Sequence, residues 1–148
     1  MSNESIGADD IRLSRVVDFF ETLNEESVAD LKRVYASDAR FKDPFNEVQG
    51  VAAIGAIFRH MYRQVDAPRF VVKSRMISGD EAFLTWDFLF RMTRSDAQQC
   101  IRGATHLRFD EHGLVAEHRD YWDAAEELYE KLPILGGFMR WLKRRAAS

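Results

Sequence analysis

Apolar residues recur along this chain in two rhythms. In the first third, Leu13, Val16, Val17, Phe20 and Leu23 hold the i, i+3, i+4, i+7 spacing of one helix face, with Asp9 or Asp10 placed to cap its start. Val28, Leu31, Val34 and Tyr35 predict a second helix that opens at Ser27, takes Asp30 as its capping-box partner and ends at Ser37 and Asp38. A short extended segment, Arg40 to Phe45, follows. Pro44 biases Asp43 away from the helical region and cannot donate to a ladder, so Asp43 is expected at a strand end or sheet edge. After a turn around Asn46 and Gly50, Val51, Ile54, Ile57, Phe58, Met61 and Val65 predict a third helix, stopped by Asp66-Ala67-Pro68.

From Arg69 onward the period falls to two, the mark of half-buried strands. Phe70, Val72 and Met76 share a face up to Ile77, and Ser78-Gly79-Asp80 turns the chain. Ala82 to Thr93 is the most apolar strand, with Leu84, Trp86, Phe88, Phe90 and Met92 on one face. Phe83, Asp87, Leu89 and Arg91 make a mixed second face, which argues for a homodimer formed across the sheet. Arg94 to Gln99 reads as a polar hairpin loop. Ile101, Gly103, Thr105, Leu107 and Phe109 then alternate with Arg102, Ala104, His106 and Arg108, and Asp110 to Gly113 supplies a turn. The next strand sets Leu114, Ala116, His118, Asp120 and Trp122 against Val115, Glu117, Arg119 and Tyr121. Asp123, with Glu126 as its capping-box partner, opens a helix that runs to Pro133, and Ile134 to Leu142 forms a last amphipathic segment with a basic end. The order is three helices with a short strand among them, four long antiparallel strands and a helical tail, an α+β domain. It is expected to be single over 1–148, with 1–8 a flexible N-terminus and 124–145 a C-terminal helical extension.

Composition narrows the function more than the fold. With 148 residues, 46% hydrophobic and 12% aromatic, the chain can bury one sizeable core. A net charge of −3 argues against a nucleic-acid partner, and the single Cys100 excludes an intrachain disulfide or a multi-cysteine zinc site. No apolar run resembles a signal peptide or a membrane span, so a cytoplasmic protein is expected. His118 and Asp120 stand out because an unpaired buried carboxylate costs several kcal/mol, so the two mark either a site or a tight hydrogen-bonded pair. Asp120 could instead pair with Arg102, Arg119 or Arg91. For Asp43 the readings are a turn-forming residue beside Pro44, or a pocket base raised by Trp86, Phe88 and Phe90. His-x-Asp also begins a two-histidine, one-carboxylate iron site that His60 or His106 would complete, but no spacing supports the third ligand, and neither metal nor cofactor is expected. His60 and His112 read as helix-surface and turn histidines. The tail reads as a lid or dimer contact through Phe138, Met139, Trp141 and Leu142 in preference to a membrane anchor through Lys143, Arg144 and Arg145.

Nearly the whole chain resembles the cystatin-like α+β barrel superfamily that includes nuclear transport factor 2, ketosteroid isomerase and the SnoaL-type polyketide cyclases. The resemblance implies three helices on a curved antiparallel sheet around a conical pocket. Tyr35-Ala36-Ser37-Asp38-Ala39-Arg40-Phe41-Lys42-Asp43-Pro44 looks like the isomerase stretch whose Asp-Pro aspartate shuttles a proton, and Asp43 falls on that position. Arg108-Phe109 through Gly113 to Glu117-His118-Arg119-Asp120 looks like the cyclase pattern with an acid/base aspartate, and Asp120 falls there; His106 matches a second cyclase histidine. The chain departs from the isomerases in carrying Phe19 and Thr105 where they carry their oxyanion-holding tyrosine and aspartic acid, which argues against steroid isomerisation. The implied pocket wall comprises Phe19, Phe20, Phe58, Trp86, Phe88, Phe90, Thr105 and Trp122. Two functions fit. One is an acid/base enzyme on a small apolar carbonyl, enol or epoxide compound, with Asp120 as main acid/base, His118 as its partner and Asp43 as a second base. The other is a non-catalytic protein, acting as a homodimer, that binds a hydrophobic small molecule or serves in a stress response.

Overall fold

The computed structural model describes residues 10–92 and 96–129. The first helix, α1 (Ile11–Glu21), begins where the Asp10 carboxylate accepts from the Arg12 backbone N–H at 2.9 Å, and it buries Leu13, Val16 and Val17. The second predicted helix forms only as a 3₁₀ segment, Ser27–Arg33. Its start is tied not by an Asp30 capping box but by Asn24, which exchanges two 2.9 Å hydrogen bonds with Ser27. Val34 and Tyr35 are buried as expected, but Val34 ends the 3₁₀ segment as its C-cap and Tyr35 already opens a strand, because an aromatic residue favours a pleated strand over a further helical turn.

That strand, β1 (Tyr35–Lys42), therefore begins five residues ahead of the Arg40 expected from sequence. A three-residue strand, β2 (Glu47–Gln49), replaces part of the expected turn, and α2 (Val51–Gln64) buries Ile54, Gly55 and Phe58. The long strands are β3 (Val65–Ser78), β4 (Glu81–Met92), β5 (Gln98–Phe109) and β6 (Val115–Tyr121). With β1 and β2 they form one open six-stranded sheet in the order β2-β1-β6-β5-β4-β3. β1 runs parallel to β6 and the other neighbours are antiparallel. β3 is an edge strand, so it tolerates Pro68, and a register shift between Asp66 and Arg69 absorbs the kink around Ala67, whose φ is 50°.

α1 packs on β3, and α2 reaches both β3 and β1. Between helices and sheet lies one core in which Leu13, Val16, Val17, Ile54 and Phe58 meet Leu84, Trp86, Leu107, Phe109 and Val115. At two places side chains turn the opposite way from the simple alternation. The ladder slips between Val72 and Ser74, so Met76 points outward, 61% exposed, and Ile77 packs on the core. A second slip opposite Arg108 and Phe109 brings Val115 inward, fully buried. Each bulge inserts one residue and inverts the faces on one side of it.

The Glu126 N–H bonds the Asp123 carboxylate at 3.1 Å as expected, and Ala125–Tyr129 forms a π-helical turn. The rest of the expected C-terminal extension, the lid residues from Phe138 to Leu142, the basic end and the expected flexible 1–8 lie outside the described residues. No helix among the described residues is long and apolar enough to cross a membrane.

Candidate active site

β6 delivers two polar side chains to the buried face of the sheet, as the i, i+2 spacing requires. His118 is 5% exposed, and its Nε2 lies 2.6 Å from Asp120 Oδ1. Thr105, opposite Asp120 on β5, donates its hydroxyl to the same Oδ1 at 2.6 Å and accepts from the Trp86 indole N–H at 2.7 Å. On the far side of the imidazole, the Tyr35 hydroxyl stands 2.6 Å from Nδ1. Trp86, Thr105, Asp120, His118 and Tyr35 thus form one continuous hydrogen-bonded chain from β4 to β1. Burial, with the Asp120 charge adding to it, holds the Tyr35 phenol well above its ordinary pKa, so Tyr35 stays protonated.

Two of the three arginines named as alternative partners turn elsewhere. Arg102 pairs with Glu127 at 3.1 Å and Glu126 at 3.5 Å, and Arg119 lies over the Tyr121 ring at 4.8 Å. All recorded hydrogen bonds to Asp120 end on Oδ1, and Oδ2 accepts none among the described residues.

Asp43 sits just past the end of β1. Its Oδ1 accepts from the backbone N–H groups of Phe45 at 2.8 Å and Asn46 at 2.6 Å, and the Asn46 amide donates to both carboxylate oxygens at 3.1 Å. The turn reading of Asp43 is therefore structurally real. Burial nevertheless pushes its carboxyl above the usual aspartate range, against the pull of those bonds from Phe45 and Asn46 and with a further push from the charge on Asp120.

Both carboxyl groups border a two-lobed cavity. The inner lobe, about 40 Å³, is walled by Val16, Val17, Phe20, Val72, Leu84 and Leu107, with Thr105, His118 and Asp120 as its polar margin. The outer lobe, about 120 Å³, is walled by Phe41, Ile57, Met61, Phe88, Ile101 and Trp122 and carries Asp43, Asn46, His60 and Asp120. Phe58, Phe70, Trp86 and Asp120 belong to both lobes and so form the partition. Phe70 meets Trp86 edge-on at 5.8 Å. Gly103 makes this possible, because a Cβ there would stand 2.4 Å from the Trp86 ring. Asp43 and Asp120 also line a groove at the surface beside Pro44, Tyr121 and Asp123, which gives the pair an approach from solvent.

Of the side chains expected in the wall, Phe20, Phe58, Trp86, Phe88, Thr105 and Trp122 line one lobe or both. Phe19 and Phe90 do not border either lobe. Phe19 is one helical step, about 100°, round from Phe20 and packs edge-on to it at 5.6 Å, while Phe90 sits 2% exposed beyond Phe88 and stacks on it at 5.1 Å. His60 is not a surface histidine, since its ring borders the outer lobe with a buried Nε2. His106 lies on the outer sheet face, 3.1 Å from Glu81. Among the described residues no three His, Cys, Asp or Glu side chains gather to hold a metal ion. Tyr35 and Asn46 went unmarked as site residues: Tyr35 owes its place to a partner 83 residues away, whereas Asn46 sits three residues from Asp43, and the turn expected around it was the available signal.

No curated protein matches the chain in sequence. Solved structures match it in fold. A candidate SnoaL-like polyketide cyclase from Jannaschia sp. CCS1 superposes with a TM-score of 0.69 at 13% identity, over 85% of this chain and 93% of that one. A hypothetical protein with a ketosteroid isomerase-like fold from Catenulispora acidiphila, in complex with trimethylamine, gives 0.67 at 13% identity over 80% and 90%. An LEH-like epoxide hydrolase from M. tuberculosis gives 0.63 at 12% identity over 80% and 84%. The profile of the SnoaL-like domain matches residues 16–118, from α1 to the His118 of the hydrogen-bonded chain, and the protein belongs to the SnoaL-like domain family.

Proposed function

We propose that the protein is a cofactor-independent acid/base catalyst acting on a small, mostly apolar carbonyl, enol or epoxide compound, with Asp120 as the group that moves the proton. One observation carries the reading: Asp43 and Asp120 border a single aromatic-walled cavity, and Asp120 is held through Oδ1 alone. A carboxylate fixed by two donors on one oxygen keeps the other oriented to take a proton from a carbon acid or from water. Asp43, which burial makes a better proton holder than an ordinary aspartate, serves as the second acid or base. His118 orients Asp120. Phe58, Phe70, Trp86, Phe88 and Trp122 hold the apolar body of the compound and keep water from the reacting atoms. Lobes of about 40 and 120 Å³ favour a molecule well below steroid size. The epoxide hydrolase, candidate cyclase and trimethylamine-bound relatives support a small organic partner.

The test is deuterium incorporation into small 1,3-diketones and cyclic enones in heavy water, with hydration of small epoxides run in parallel. Asp120→Asn should lose about a hundredfold or more, as removal of a general base does, with unchanged thermal unfolding. Equal rates in the two proteins would remove Asp120 from the reaction.

A second reading is favoured by the complete hydrogen bonding of Asp43, which needs no substrate to satisfy it. In that reading the cavity binds a hydrophobic small molecule without turnover, and the same compounds stabilise the protein saturably while exchanging no proton. Under either reading we place a second copy against the outer sheet face, where Met76, Phe83 and Tyr121 are exposed.

A further inference from the structure

We infer that Tyr35 is a positioning residue of this site: its hydroxyl fixes the tautomer of His118, so that His118 donates to Asp120 Oδ1 and holds the carboxyl by that oxygen. The consequence for turnover rests on the acid/base reading above, whereas the geometry rests on donors and acceptors alone.

Tyr35 opens β1 with its side chain 1% exposed, its ring stacked on His118 at 5.9 Å and 19°. Phe41 at 4.6 Å and Phe20 at 5.9 Å close the imidazole in from other directions. Inside that apolar cage each ring nitrogen has one recorded partner, the Tyr35 hydroxyl on Nδ1 and Asp120 Oδ1 on Nε2, both at 2.6 Å. Three proton arrangements are conceivable. If His118 carried its proton on Nδ1, the Tyr35 oxygen would have to accept it, and the phenol proton would find no acceptor among the described residues. Nε2 would then face Asp120 Oδ1 lone pair to lone pair unless the carboxyl were protonated. If both nitrogens were protonated, the phenol proton would again be stranded. Only with Tyr35 donating to Nδ1 and Nε2–H donating to Asp120 does every donor meet an acceptor.

That arrangement has a direct bearing on Asp120. Thr105 and His118 both donate to Oδ1, which leaves Oδ2 without a donor among the described residues. Burial supports the assignment further by keeping the phenol protonated. Tyr35 borders neither lobe, so it acts on the reaction through His118 rather than by touching a substrate.

Long-range ¹⁵N–¹H correlation spectra of the His118 ring, recorded on the full chain, decide the point without a substrate. The wild type should show Nε2 protonated and Nδ1 bare, and Tyr35→Phe, which keeps the stacked ring, should lose that exclusive pattern to a mixture or to imidazolium. A wild-type ring protonated on Nδ1, or an unchanged pattern in Tyr35→Phe, overturns the inference. In the exchange assay, Tyr35→Phe should lower kcat by roughly tenfold to a hundredfold, the size of a lost alignment, with KM unchanged. Full kcat in Tyr35→Phe beside an inactive Asp120→Asn would overturn the positioning role and leave the acid/base reading standing. No exchange by the wild type would instead fail the acid/base reading, with the spectra still deciding the tautomer.

Discussion

Asp43 is pulled in opposite directions: burial raises its proton affinity, and the N–H donors of Phe45 and Asn46 lower it, with burial prevailing. A carboxyl whose folded pKa lies above its unfolded value stabilises the fold below the unfolded value, near 3.8, and that contribution is lost as pH rises through the folded pKa. Asp43→Asn, which cannot titrate, should therefore gain on the wild type as pH rises across that window. Urea midpoints of both proteins at a series of pH values read the difference directly, and parallel curves would mean that Asp43 titrates as an exposed carboxyl. At this scale the pairing of His118 with Asp120 was legible, because neighbours two apart on a strand share a face. The role of Tyr35 was not. Tyr35 meets His118 across 83 residues of chain, and no local pattern encodes so distant a partner.

At the scale of elements, periodicity located both α-helices and all four long strands, since burial of one face is a local property of spacing. It failed where the backbone changes count. The slip in β3 turns Met76 out and Ile77 in, and the slip at the start of β6 buries Val115. A paired substitution tests the first. Ile77→Ala should destabilise by roughly 1–2 kcal/mol, less than a fully buried isoleucine, because its site is only partly covered. Met76→Ala should stay within about 0.5 kcal/mol, as a surface change does. Chemical denaturation that ranked the two the other way round would deny the bulge. β2 was missed, and the helix opening at Ser27 was read past its true end at Arg33, for a related reason: elements of three and seven residues are too short to establish a period.

For the molecule as a whole, the outer sheet face carries an aromatic ladder. Phe83 stacks on His106 at 5.4 Å and on Tyr121 at 6.5 Å, with Met76 paired beside it across the β3–β4 ladder. If two copies meet there, Phe83→Lys should shift sedimentation equilibrium toward the monomer without lowering the unfolding midpoint of the isolated chain. A wild type already monomeric, or a variant that pairs as well, would remove that face from assembly. The sequence by itself determined the α+β class, the helix faces, the strand alternation, the Asp110 to Gly113 turn and the placing of His118 beside Asp120, because each follows from interactions among near neighbours. Tertiary structure alone decided the division of the cavity by Phe58, Phe70 and Trp86, the room that Gly103 leaves for the indole, and the Tyr35 to Trp86 chain that orients Asp120. Those depend on residues from separate strands and helices arriving within a few ångströms of one another, and only the closed packing of the whole chain sets such distances.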